Sequence, residues 1–208
     1  SSKSLKAIEV AWEITNVTAE LRDKMIERRK EIEKTRRLTA AEDRVYQAVL
    51  LDIGVGIDGG NVFYGNIGSD EHMANTVIGD NVNSSSRLEG LTRIYHLPVI
   101  VSEYIKDEVE NVSTRYKFYE IDTVQVKGKT KGKKIYFPVD TYAQSASIVI
   151  EKFDKFKDGL EAYYKGDWSK ARKKFKDCDH DVCEVFLERM GRKSAPAKWS
   201  GIWTMTTK

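Results

Sequence analysis

The first part of the chain carries apolar residues at the spacing of an α-helix. Between residues 5 and 34, a dense charged background without Gly or Pro is interrupted by apolar side chains at Leu5, Ile8, Trp12, Ala19 and Met25. This pattern predicts one long amphipathic helix. The polar stretch KTRRLTAAEDR that follows fits either a loop or a continuation of the helix with one face in solvent.

The pattern then changes to β-branched and apolar residues. Residues 45–58, VYQAVLLDIGVGID, are typical of a buried strand. Glycines recur next, around NVFY and NI, at Gly59, Gly60, Gly65 and Gly68. They predict short strands with sharp reversals. A phosphate-binding loop is the alternative, but the stretch lacks the Gly-Lys-Ser/Thr of a P-loop.

Residues 80–95 predict a second helix, and the LPVIVS that follows predicts the next strand. The buried face of this helix is expected at Val82, Leu88 and Leu91. Asn83 and Arg87 stand four residues apart near its start, so both side chains project from the same face. An amide beside a guanidinium is unusual in a core stripe but suits a ribose and a phosphate.

The chain after residue 142 is predicted to be helical. FDKFKDGLEAYYKGDWSKARKKFKDC resembles one tetratricopeptide-type helical pair with KGD as its turn, and an ordinary helical hairpin fits equally well. A third helix, DVCEVFLERMGR, can cover the pair. Because one repeat cannot bury its own apolar side, we expect these helices to pack on the rest of the chain or on a second chain. The rings of Trp199 and Trp203 are expected to dock onto the protein.

Composition and charge exclude several classes of protein. The chain has 208 residues, of which 40% are hydrophobic, as expected for one globular core with a small addition. Its 35 basic and 32 acidic residues are well mixed, so we expect no nucleic-acid partner. Only KGKTKGKK at 127–134 is locally basic, which fits a polyanion site or a solvated hairpin. No run approaches the roughly 20 apolar residues of a membrane span.

The absence of such a run and of a signal-peptide pattern predicts a cytoplasmic location, although a longer parent protein can carry a membrane anchor upstream. Cys178 and Cys183 frame the sequence CDHDVC around His180. Two Cys and one His are too few ligands for zinc, and the Cys spacing is unusual for such a site. Two free thiols in a reducing compartment are therefore expected.

Four separated segments together resemble a known family. TVIGDNVNSSSR at 76–87 follows IGVGIDGGNVFYGNIGSDEHMAN, and it precedes LEGLTRIYHLPVIVSEYI and then VQVKGKTKGKKIYFPVD at 124–140. In this order and spacing they resemble the C-terminal half of the catalytic domain of class III adenylate and guanylate cyclases. The resemblance implies an α/β fold, namely part of a cyclase domain with a mainly antiparallel sheet and a small α-helical module after it.

Three parts of the chain are therefore expected. Residues 1–142 would form the C-terminal half of the cyclase domain, 143–193 the tetratricopeptide-like helical module, and 194–208 a Trp-containing tail. In the family, the ribose 3′ hydroxyl of a nucleoside triphosphate attacks the α-phosphate, which yields a cyclic nucleotide and pyrophosphate. The resemblance also implies a homodimer, because the family closes its active site between two domains.

The family's functional residues carry over to four positions. The resemblance implies that Asn83 orients the ribose and that Arg87 stabilises charge on the α-phosphoryl group. It implies that Lys127 holds the outer phosphates, with Lys129 as a second candidate on the same strand face. Thr76 stands where the family reads the purine edge, and its hydroxyl can serve the amino group of adenine, so ATP is the expected substrate.

The family's two metal-binding aspartates lie earlier in its sequence than the segment matched here. Asp52 and Asp58 do not replace them by motif, so Mg or Mn is expected to be bound by residues outside this chain. The chain would then carry half of an active site and be inactive alone. Two alternatives remain: a non-catalytic interaction module acting through the C-terminal helices, and a basic hairpin that binds nucleic acid, which predicts steep salt dependence.

Overall fold

The computed structural model describes residues 2–50, 52–69, 72–125 and 132–204. Within these ranges the helices are α1 Lys3–Thr35, α2 Ala40–Val49, α3 Asp80–Tyr95, α4 Glu103–Glu110, α5 Ala146–Tyr164, α6 Trp168–Cys178 and α7 Asp181–Met190. The strands are β1 Val55–Ile57, β2 Phe63–Ser69, β3 His72–Ile78, β4 Val99–Ser102, β5 Tyr116–Gln125, β6 Lys133–Asp140 and β7 Trp203–Thr204.

The main sheet has the strand order β1-β4-β6-β5-β7. Its centre is antiparallel, since β6 pairs with both β4 and β5 in that sense, whereas the short edge strands β1 and β7 pair in parallel. Strands β2 and β3 form a separate antiparallel hairpin in continuous register from Phe63 opposite Ile78 to Ser69 opposite His72. The predicted α/β fold with a mainly antiparallel sheet is confirmed. The glycine-rich stretch forms short strands as predicted, but Gly65 and Gly68 lie within β2 and not at reversals.

Helix α1 forms as predicted, but only its first half packs on the sheet. Its buried residues are Ser4, Ile8, Ala11 and Thr15. The Trp12 indole N–H donates to the Pro138 carbonyl at 3.1 Å, which ties this half to β6. The second half continues into an exposed segment, where Leu21 is 55% exposed. The apolar stripe predicted along the whole helix therefore meets the core over about half its length.

The prediction of a strand over residues 45–58 was wrong in its first part, because 45–49 belong to α2. Thr39 and Glu42 explain the difference, since they form a reciprocal capping box. The Glu42 amide donates to the Thr39 hydroxyl at 3.2 Å, and the Thr39 amide donates to the Glu42 carboxylate at 2.9 Å. Such a box stabilises the first turn of a helix and outweighs the β propensity of the residues that follow.

Helices α5 to α7 pack back onto the sheet and α3. Buried residues from α3, β5, β6 and all three C-terminal helices belong to one hydrophobic core. Helices α5 and α6 approach closely at Gly159, where an added Cβ would lie 2.7 Å from the Phe175 ring. The predicted turn forms at Gly166, with φ of +79°, and at Asp167, which caps α6. The expected packing on the rest of the chain is confirmed, whereas the tetratricopeptide relationship stays a prediction.

The C-terminal tail also docks, as expected. The Trp199 indole N–H donates to the Tyr163 carbonyl at 2.8 Å, and its ring packs edge-on against Trp168 at 5.2 Å. Cys178 and Cys183 are free and buried. The His180 side chain between them accepts from the Val182 amide at 3.1 Å and so caps α7.

Candidate active site

Helix α3 carries the candidate catalytic pair and has the predicted bounds, 80–95. Its buried residues are Leu88, Leu91, Thr92 and Tyr95. The prediction that Val82 is also buried was wrong, because its side chain is 37% exposed. The reason is the length of the contact with β1, which runs antiparallel to α3. This contact extends from Thr92 back to Ser85. It ends where the Asp58 backbone N–H donates to the Ser85 hydroxyl at 3.0 Å. Val82 lies one turn beyond that contact.

Strand β1 and the residue before it pack closely against helix α3 at two glycines. A Cβ added to Gly54 would lie 1.8 Å from the Thr92 hydroxyl oxygen. A Cβ added to Gly56 would lie 2.1 Å from the Glu89 backbone nitrogen and 2.6 Å from the Ser85 carbonyl oxygen. Only glycine leaves room for the side chain of Thr92 at the first position and for the α3 backbone at the second. The two glycines therefore fix the height of α3 above the sheet.

Asn83 and Arg87 occupy the exposed first half of α3, one turn apart. The Asn83 backbone N–H donates to the Gly79 carbonyl at 3.3 Å and so closes the first turn of α3. The side chains of Asn83 and Arg87 are both exposed. Arg87 borders a narrow cleft of about 40 Å³ between α3 and the β5–β6 pair. The lining includes Asp80, Ser84, Arg87, Leu88, Lys133 and Lys134.

Two lysines of β6 face Arg87 across this cleft, and the sequence prediction did not include them. Lys134 donates to Glu120 at 2.8 Å. Lys133 is 53% exposed, and its Nζ lies 3.9 Å from the Asp58 carboxylate, whose side chain is 4% exposed. A guanidinium and a half-exposed ammonium on opposite sides of a cleft suit a phosphate chain. Strand register could have indicated Lys133, because it pairs with Val124 at the end of β5.

The other predicted substrate residues lie apart from this cleft or outside the described residues. Thr76 is half-buried on β3, opposite Gly65. Strand β3 leads through Gly79 into α3, so Thr76 and the catalytic pair are linked along the chain, but Thr76 does not line the cleft. Lys127 and Lys129 lie outside the described residues.

The described residues do not offer a metal centre. Across residues 2–50, 52–69, 72–125 and 132–204, no group of three His, Cys, Asp or Glu side chains could hold a metal ion. Asp52 forms an exposed ion pair with Arg22, and the Asp58 carboxylate accepts a hydrogen bond from the Gly59 N–H at 2.8 Å.

No helix in the described part of the chain is long and apolar enough to cross a membrane.

Comparisons with known proteins identify the family of the chain. Residues 6–140 match the adenylate and guanylate cyclase catalytic domain family. The chain therefore belongs to this family of nucleotide cyclase domains. It is 39% identical over 89 residues to an adenylate cyclase of Anabaena cylindrica, covering 41% of this chain and 17% of that protein.

Two further similarities cover a larger share of this chain. A terminal-differentiation specific adenylate cyclase of Dictyostelium discoideum is 26% identical over 129 residues, which are 62% of this chain and 6% of that protein. A solved bacterial light-regulated adenylyl cyclase aligns at 23% identity with a TM-score of 0.49, covering 70% of this chain and 37% of the other. The chain thus spans a small part of the length of the curated relatives it matches.

Proposed function

We propose that this chain supplies the Asn and Arg half of an adenylate cyclase active site, which converts ATP to cyclic AMP and pyrophosphate. The observation that carries the proposal is the pair Asn83 and Arg87, one turn apart on the exposed half of α3, with Lys133 facing Arg87 across a cleft. Membership of the cyclase family and similarity to adenylate cyclases support it.

The proposed mechanism uses positioning and electrostatics. The Asn83 amide can donate to and accept from ribose oxygens, and so orient the 3′ hydroxyl for attack on the α-phosphorus. The Arg87 guanidinium is planar and permanently charged, and it stabilises negative charge that develops on the α-phosphoryl oxygens. Lys127 and Lys133 bind the outer phosphates and thereby hold the leaving pyrophosphate.

Mg or Mn is part of the chemistry that the family implies, and the described residues do not fit a metal pair. The Asp58 carboxylate is buried, and Lys133 and the Gly59 amide lie beside it. We therefore place the metal carboxylates outside this chain and derive no step through the metal. A second cyclase domain would bring them, so the working unit is a dimer formed through residues 1–142.

The domain boundaries are part of the same proposal. Residues 1–142 are the cyclase portion, 143–193 the helical module and 194–208 the tail. The alternative of a non-catalytic module acting through α5 to α7 has less surface available, because the largest side chains of these helices are turned into the core shared with α3.

Thr76 is expected to confer a preference for ATP over GTP. Its hydroxyl can accept from the adenine amino group, and it lies half-buried on β3, ahead of α3. Rates of cyclic AMP and cyclic GMP formation, measured at matched nucleotide concentrations in the cyclase that contains this chain, test the assignment. Thr76→Val, which keeps the shape and removes the hydroxyl, should lower the ATP preference. Faster turnover of GTP than of ATP in the unaltered protein would refute it.

A further inference from the structure

A buried ionic cluster joins the last helix of the chain to the end of α3. The Asp122 side chain on β5 is fully buried, and the Arg189 side chain on α7 is 8% exposed. Arg189 donates to Asp122 Oδ2 at 2.5 Å and, through its other terminal nitrogen, to the Tyr95 hydroxyl at 2.7 Å. Tyr95 donates to the same Asp122 oxygen at 2.6 Å. Three side chains from three elements thus form a closed hydrogen-bonded ring.

Aromatic side chains surround the hydrogen-bonded cluster of Arg189, Asp122 and Tyr95 and exclude water from it. The Arg189 guanidinium lies 5.0 to 5.5 Å from the ring centres of Tyr95, Phe186 and Trp203. Burial raises the pKa of the Asp122 carboxyl, and the adjacent Arg189 charge opposes that rise. In such a dry site, hydrogen bonds between charged groups are stronger than in water, and a carboxylate left without its partner is costly. Loss of Arg189 would leave the Asp122 carboxylate buried without its counter-charge.

The ring acts on the helix that carries the candidate catalytic residues. Tyr95 is the last residue of α3 and follows Arg87 by about two turns. Asn83 and Arg87 are exposed in the first half of α3, and the sheet-facing side of the helix packs on Gly54 and Gly56. Those glycines set the height of the helix, whereas the hydrogen bonds of Tyr95 attach its last residue to β5 and α7. A shift at Tyr95 is transmitted to Arg87 because a helix moves as a unit.

We propose that Arg189 is a positioning residue of the cyclase site: through Tyr95 and Asp122, the C-terminal helices hold α3 in the orientation that presents Asn83 and Arg87. The catalytic consequence rests on the proposed function, whereas the effect on α3 does not. The C-terminal helices then contribute to the cyclase site, because α7 contacts the catalytic helix α3 directly.

Hydrogen exchange on the chain itself tests the effect on α3. Arg189→Met keeps an unbranched apolar stem and removes the guanidinium with its charge, and it should speed exchange of the α3 amides by about tenfold or more. The amides of α5 and α6 should keep their protection, since a general loss of stability would raise exchange in them as well. Arg189→Lys, which keeps the charge, should give an intermediate rate. Arg192→Met, at an exposed position just after α7, is the matched control and should change nothing.

A second variant covers the case in which Arg189→Met does not fold. R189M combined with D122N removes both charges, so no uncompensated carboxylate is buried, and the same rise in α3 exchange is expected. Unchanged α3 exchange in a folded variant, or an equal rise in α3, α5 and α6, would overturn the proposal.

Kinetics of the cyclase that contains this chain test the catalytic consequence. R189M should lower kcat by roughly 10- to 100-fold with little change in KM, since a misplacement of about 1 Å has effects of this size. R189K should recover part of the loss. An unchanged kcat in R189M would overturn the catalytic role. If the unaltered enzyme makes no cyclic nucleotide, the proposed function fails, and α3 exchange still decides whether Arg189 holds α3.

Discussion

Replacing Arg87 with Ala is expected to lower kcat of the cyclase that contains this chain by about 10²- to 10³-fold, with a smaller effect on KM. The guanidinium is proposed to act on charge that develops only in the transition state, and removal of such a group lowers kcat more than substrate binding. Steady-state rates of cyclic AMP formation over a range of ATP concentrations provide both constants. Arg87→Lys should recover little, because an ammonium lacks the planar pair of donors.

Arg93→Ala is the matched control for this prediction. Arg93 lies on the same helix, its side chain is 78% exposed, and it pairs with Glu89 at 2.9 Å. It does not line the cleft beside Arg87. Exposed pairs of this kind contribute little to stability, so the control should keep its kcat. A near-normal kcat in the Arg87 variant, or an equal loss in both variants, would refute the proposed role of Arg87 in the transition state.

Replacing Gly56 with Ala is expected to destabilise the protein and to lower kcat. The added Cβ would lie 2.1 Å from the Glu89 backbone nitrogen, so either β1 or α3 must move. Overpacking of this kind typically lowers the free energy of unfolding by about 1–3 kcal/mol, and a backbone contact cannot yield as a flexible side chain does. Urea denaturation measures the stability, and the rate of cyclic AMP formation by the folded fraction measures the displacement of α3.

Gly90→Ala is the control for the glycine prediction. Gly90 lies within α3, and a Cβ added there would have no atom within 4 Å. Alanine should raise the free energy of unfolding by about 0.5–1 kcal/mol, because glycine inside a helix is unfavourable relative to alanine. If Gly56→Ala were as stable and as active as Gly90→Ala, the backbone contact would not position α3.

The sequence predicted an element correctly where the local signals for it agreed. Helix α3 has the predicted bounds because Gly79 precedes an acidic first turn and Leu88 and Leu91 repeat at helical spacing. Helix α2 was missed because its apolar, β-branched residues suggested a strand, whereas the capping box at Thr39 decided the conformation. Val82 was misplaced because its exposure depends on where β1 ends, which no local pattern indicates.

Only the residues of the candidate site that lie within one helix could be predicted from the sequence. The spacing of Asn83 and Arg87 identified the catalytic helix, since one turn places both on one face. Lys133 was missed because its place beside the cleft depends on where α3 packs on the sheet, although its pairing with Val124 is local. Arg189 was missed because it meets Tyr95 and Asp122 across separations of 94 and 67 residues.

We propose that Asn83 and Arg87 of this chain complete an active site whose metal carboxylates come from a second domain. The most direct measurement mixes the chain with a class III cyclase domain that keeps those carboxylates but has Ala at its own Asn and Arg positions. Neither component alone should form measurable cyclic AMP, and the mixture should exceed both by about 10²-fold or more. The gain should disappear when the chain carries Asn83→Ala and Arg87→Ala. Equal rates with the unaltered and the doubly substituted chain, or cyclic AMP formation by the isolated chain, would contradict the account.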